Sequence, residues 1–137
     1  MFAEFELEMG RMSERGEALT ADALCAKYHE LNKLYFGPDM ISDDGIALEW
    51  ARIPHFFYNY YVFQYATGFS AAVAIANRIL KEGAPAVADY KKFLSGGCST
   101  DPISLLKIAG VDMSSPEPVN SALALFGELV DEMEQLV

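Results

Sequence analysis

Apolar residues recur along this chain at spacings of three and four, with polar runs, glycines and prolines between them. Phe2, Phe5, Met9 and Met12, with Glu4, Glu6 and Glu8 between them, predict a helix with one apolar face that ends near Gly16. Thr20 has the chemistry of an N-cap, and Ala23, Leu24, Tyr28, Leu31, Leu34 and Tyr35 supply the buried stripe of a second helix, stopped by Gly37 and Pro38. A short helix is expected from about Gly45 to Arg52. It ends at Ile53-Pro54, because the residue before a proline is pushed out of the helical region. From Phe57 to about Leu80 the pattern predicts one long helix, apolar nearly all round. Pro85 opens a helix running to Leu94, and Ser95-Gly96-Gly97 forms a loop. Asp101-Pro102 reads as N-cap and first helical residue, with Gly110 as the C-terminal stop. Ser115-Pro116 repeats the start signal for a last helix to about Gln135, whose buried face is Val119, Leu123, Phe126, Val130 and Met133. No strand period, Asn-Gly hairpin or internal repeat occurs. The expected fold class is all-α: a multi-helix array with a long buried central helix, forming a single helical region over residues 1–137.

The long apolar segment admits three readings. No Asp, Glu, Lys or Arg occurs from Ile53 to Asn77, enough chain to cross a bilayer. Asn59, Gln64 and Asn77 are costly in lipid, however, and the tyrosines are scattered rather than gathered at two interfaces, so no membrane is expected. A helix this apolar fits the core of a larger all-α protein, and the chain reads as a piece of something longer. On such a helix Tyr58, Tyr61 and Tyr65, at offsets of three and four, share one face, with His55 just before it. Tyr60 points about 100° away from Tyr61 and is assigned to packing. A buried phenol needs a hydrogen-bond partner. The face is therefore either core with satisfied tyrosines or a polar binding surface.

Charge and composition remove several functions. The 20 acidic and 10 basic residues give a net charge of -10, which repels phosphate backbones and anionic membranes, so nucleic acid is not an expected partner. The 52% apolar and 12% aromatic content excludes disorder. Cys25 and Cys98 make no disulfide framework, and the opening MFAEFELEMG lacks the basic start of a signal peptide, so a cytoplasmic location is expected. His29-Glu30-Leu31-Asn32-Lys33 imitates the zinc-binding HExxH, but Lys33 stands where the second histidine would have to be. Cys25 and His29 make half a metal site at most, and helix packing explains them better. Cys98 has no histidine partner, and no Gly-Lys-Ser/Thr follows Gly96-Gly97. No metal ligand set is expected in this chain.

Four stretches carry a resemblance to a known family. The run ARIPHFFYNYYVFQYATGFSAA, from Ala51 to Ala72, resembles the C-terminal signature of oligoendopeptidase F, within the thimet-oligopeptidase-like zinc metallopeptidases. FAEFE at Phe2–Glu6 resembles a helix downstream of that family's zinc site. YKKFLSGGCSTDPISLLKIAGVDMSSPEPV, from Tyr90 to Val119, is similar to its Gly-Gly loop, aspartate-proline helix and following turn, and the last helix resembles its C-terminal helix. The resemblance implies the C-terminal portion of the catalytic domain of a cytosolic zinc peptidase that cuts short peptides in an enclosed helical channel. Zinc would belong to the parent enzyme and none to this chain, which alone is expected to be inactive. The partners implied are short peptide substrates and the remainder of the catalytic domain, with self-association through apolar surface left uncovered. His55 matches the histidine that opens the family's aromatic motif and is implied to contact the substrate backbone. Tyr61 is the first candidate, and Tyr58 the second, for the phenol that stabilises the oxyanion, while Tyr65 lines the channel or packs. The alternative is a stand-alone helical peptide-binding or interaction module without catalysis.

Overall fold

A computed structural model of the chain describes residues 1–136, which hold six α-helices, two 3-10 helices and no strand. The α-helices are α1 (Phe2–Glu14), α2 (Ala21–Phe36), α3 (Phe63–Glu82), α4 (Ala84–Ser95), α5 (Pro102–Ile108) and α6 (Glu117–Glu134). The 3-10 helices, Asp44–Arg52 and Pro54–Phe57, fill the connection between α2 and α3. The all-α expectation holds. The chain forms two compact units, Met1–Gln64 and Tyr65–Val137.

The first unit is built on rings. Phe5 and Tyr28 are fully buried, and Phe5 meets Tyr28 and Phe56 edge to face at 5.1 Å each. Phe2 closes the group against Phe56 at 5.7 Å. Edge-to-face pairs add about 0.5–1.5 kcal/mol each beyond the area they bury, so this cluster anchors α1, α2 and the Pro54–Phe57 turn together. Local signals set the element ends. The Thr20 hydroxyl accepts from the Ala23 amide at 3.2 Å, and Asp43 accepts from Gly45 at 2.8 Å to start the first 3-10 helix. The buried stripe of α2 stops at Leu31. Leu34 and Tyr35, expected in it, are 70% and 54% exposed, and the Tyr35 hydroxyl instead donates to Glu4 on α1 at 2.6 Å. His29 and Cys25 have structural partners: the His29 ring lies 3.1 Å from the Ser42 carbonyl oxygen, and the Trp50 indole donates to the Cys25 sulfur at 3.4 Å.

In the second unit Ala71 and Ile75 of α3 meet Ala109 and Val111 just past α5. Arg78 ties the same elements, donating to the Ala109 carbonyl at 2.8 Å and pairing with Asp89 of α4 at 2.9 Å. Asp101 caps α5 as expected, accepting from the Ser104 amide at 2.9 Å, and Gly110 ends it with φ +79°. Three expectations need correction here. The α3 helix starts at Phe63 rather than near Phe57. The stripe Val119, Leu123, Phe126, Val130 and Met133 of α6 is exposed, since among the described residues nothing covers it. The Ser115-Pro116 start signal also gives no side-chain cap: α6 begins at Glu117, and the Ser115 hydroxyl donates back to the Asp112 carbonyl.

Tyr28 yields a pH dependence. Burial, reinforced by the Glu49 carboxylate to which its hydroxyl donates, pushes the phenol above its ordinary range. The fold therefore holds the neutral phenol. Its stabilisation is complete below the ordinary phenol pKa of about 10 and is lost as pH rises from there through the raised folded value. We expect Tyr28→Phe to cost about 1–3 kcal/mol at neutral pH and to flatten the alkaline loss of stability, measured by urea unfolding between neutral pH and pH ~11.

Candidate functional site

The His55–Tyr61 stretch is a turn. Pro54–Phe57 is a 3-10 helix, closed by the Tyr58 amide on the His55 carbonyl at 3.1 Å. Residues three apart eclipse in a 3-10 helix, which brings His55 and Tyr58 together although no α-helix carries them. Asn59 and Tyr60 then take left-handed backbone angles, φ +54° and +60°. The chain bends back, and α3 begins two residues after Tyr61. The expectation that Tyr58, Tyr61 and Tyr65 share one helical face is therefore wrong in its geometry, because Tyr58 and Tyr61 precede the helix.

The turn nonetheless gathers three of the four candidate residues. The rings of His55 and Tyr61 stack with centroids 5.6 Å apart and planes 19° from parallel. Tyr58 stands edge-on to both, 5.8 Å from each. Tyr58 is 58% exposed, and His55 and Tyr61 are half-buried, so the cluster presents an imidazole and two phenols at the surface of the first unit. Tyr65 is in the second unit, on the first turns of α3, and is exposed.

Two residues that sequence reasoning passed over hold the turn in place. Glu6, one of the glutamates between the apolar positions of α1, is buried, and its carboxylate accepts from the Tyr61 amide at 2.9 Å and the Val62 amide at 3.0 Å. The signal was present. Glu6 is four residues after Phe2 and three before Met9, which sets it on the apolar stripe itself. Left-handed angles cost a non-glycine residue about 1–2 kcal/mol each, whereas a hydrogen bond to a charged group contributes about 1.5–3 kcal/mol. Two such bonds outweigh two such residues. Gly10, one turn further along α1, is the other: a β-carbon there would lie 1.9 Å from the Tyr60 hydroxyl. Tyr60 thus packs, as expected, with its tip over a glycine.

The other candidate chemistry does not assemble. Among the described residues no group of three His, Cys, Asp or Glu side chains is placed to hold a metal ion. The second unit has an apolar cavity of about 460 Å³, lined by Gly68, Ala72, Ala76, Tyr90, Phe93 and Leu106 among others. Its only side-chain hydroxyl is that of Tyr90, so it offers shape without a reacting group. No described helix is long and apolar enough to cross a membrane.

Residues 1–125 match the family model described as peptidase family M3. The chain is 56% identical over 137 residues to oligopeptidase PepF of Bacillus subtilis, covering all of this chain and 20% of that protein. It is 43% identical over 136 residues to the chromosomal oligoendopeptidase F of Lactococcus lactis subsp. cremoris, of which it covers 23%. The crystal structure of oligoendopeptidase-F from Enterococcus faecium superposes with a TM-score of 0.85 at 44% identity, over 98% of this chain and 26% of that one. The chain thus spans about a fifth to a quarter of the length of these relatives.

Replacing Gly10 by Ala should push the Tyr60 ring aside and cost about 1–3 kcal/mol in thermal or urea unfolding, the range for overpacking. Adding Tyr60→Phe removes the atom in closest conflict. It should recover part of that loss, and no recovery would mean that the clash is elsewhere.

Proposed function

Since the chain belongs to peptidase family M3, we propose that it is the C-terminal part of the catalytic domain of a zinc-dependent oligoendopeptidase that hydrolyses internal bonds of short peptides. The observation that carries this reading is the ring cluster of His55, Tyr58 and Tyr61, built by the segment whose sequence resembles that family's substrate-facing motif. Among the described residues no set of side chains fits the zinc that the family implies. In the proposal, the metal and the base that activates water belong to the part of the parent enzyme outside these residues.

The chain's own contribution is hydrogen bonding. A peptide carbonyl under attack gains negative charge on oxygen, and fixed donors aimed at that oxygen lower the barrier because they need no reorganisation. Tyr61 is the donor of first choice. Its ring is stacked on His55, which limits the directions its hydroxyl can take. His55, beside it, hydrogen-bonds the substrate backbone and keeps the scissile bond in register. Tyr58 is more exposed and edge-on to both, so it is the second candidate donor and a wall of the groove. Tyr65, on α3 of the second unit, is a further candidate for contact with the peptide. The exposed stripes of α3 and α6, with Phe69, Leu123 and Phe126, are surfaces that the rest of the catalytic domain covers, and in its absence they drive self-association. The parent acts in the cytoplasm.

In the parent enzyme Tyr61→Phe is expected to lower kcat by about 10²–10³ while KM changes little, the mark of a donor used mainly in the transition state. Unchanged kcat removes Tyr61 from the mechanism. The 137-residue chain alone is expected to take up no stoichiometric zinc by metal analysis and to leave a quenched fluorescent peptide uncut. Tight zinc at one per chain overturns the division of labour proposed here.

A further inference from the structure

Glu6 holds the main chain at a place chosen with unusual economy. The Tyr61 amide belongs to the peptide plane before the Tyr61 α-carbon, and the Val62 amide belongs to the plane after it. One oxygen of Glu6 takes the first at 2.9 Å, and the other takes the second at 3.0 Å. A single side chain thus holds both planes that flank Tyr61 and restrains its backbone angles. What remains is rotation of the phenol about its own side-chain bonds, and stacking on His55 at 5.6 Å restricts that as well.

The carboxylate of the clamp is buried, and its bond to the Tyr61 amide is partly so. Glu6 is 4% exposed, Val62 is buried beside it, and Phe56 anchors the other end of the turn in the ring core. Among the described residues Glu6 pairs with no Lys or Arg, so the two amides are the donors that offset its burial. A carboxylate that only completed the fold would serve as well at any pair of unsatisfied amides. This one fixes the residue that carries the phenol, just past two left-handed residues that would otherwise relax.

We propose that Glu6 is a positioning residue, acting through the main chain of Tyr61 to set where the Tyr61 hydroxyl reaches. The proposal rests on the reading of Tyr61 as a substrate-facing donor. Glu6→Gln keeps one acceptor oxygen and turns an amide NH2 toward the other backbone N–H, so half of the clamp opens. In the parent enzyme kcat should fall by about 10-fold to 10²-fold with KM within about twofold, as for a reacting group displaced by an ångström or less. In a Tyr61→Phe background the same change should cost less than about twofold, because the hydroxyl it positions is already gone. Additive losses would make Glu6 a stabiliser of the fold and overturn the proposal.

A second readout separates this failure from failure of the parent reading. By NMR on the 137-residue chain, Glu6→Gln should speed hydrogen exchange of the Tyr61 and Val62 amides by more than about tenfold. It should also shift the His55 ring protons, which lie against the Tyr61 ring, while far-UV circular dichroism stays unchanged. Unaltered exchange and ring shifts in a folded Glu6→Gln chain sink the clamp, whatever Tyr61 does in catalysis. If Tyr61→Phe proves silent in the enzyme while exchange and shifts respond as expected, the clamp stands and the catalytic role of Tyr61 falls. Should Glu6→Gln fail to fold, adding Asn59→Gly, which relieves one left-handed residue, provides a folded background for the same two measurements.

Discussion

A carboxylate shut away from water must find donors, and Glu6 finds them in the main chain of Tyr61 and Val62. The first unit is arranged around that requirement. The ring core of Phe2, Phe5, Tyr28 and Phe56 carries Glu6 inward on the same face of α1 and draws the 3-10 turn up against it. With the two amides held, Asn59 and Tyr60 can remain in left-handed geometry, Tyr60 can lay its hydroxyl over Gly10, and α3 can begin where it does.

The reach of each interaction explains what could be read along the chain and what could not. Thr20, Asp101 and Gly110 act through bonds to residues a few positions away, so their meaning is local, and each marks a helix end as expected. The start of α3 is not local. The Tyr61 amide just before it bonds to a side chain 55 residues upstream, and nothing in the spacing of tyrosines records that bond. His55, Tyr58 and Tyr61 were legible as a group by their types and by resemblance. Their meeting comes from the eclipsed turn and the bend after it, and not from a helical face. The α6 helix shows another limit. Its amphipathic stripe was correctly seen, but amphipathicity says only that a face seeks cover, and the described residues do not supply it.

The two units also differ in the kind of stability they have. The first is held by edge-to-face rings and a buried carboxylate, interactions that tolerate little displacement. The second relies on small residues, Ala71 and Ala109 among them, and on the Arg78 fork to Ala109 and Asp89. Its apolar helices α3 and α6 keep large exposed side chains. The first unit thus carries the aromatic cluster on a ring core, and the second keeps helix faces that the described residues leave uncovered.

A grip on peptide amides is indifferent to what the gripped residues carry. Because Glu6 binds no side chain of the turn, the positions that face outward, 55, 58 and 61, can exchange their chemistry without unmaking the scaffold beneath them. The turn is in effect a mount with replaceable fittings. Substitution at these three neighbouring positions is therefore expected to change the chemistry at the surface of the first unit while the backbone that carries it keeps its place.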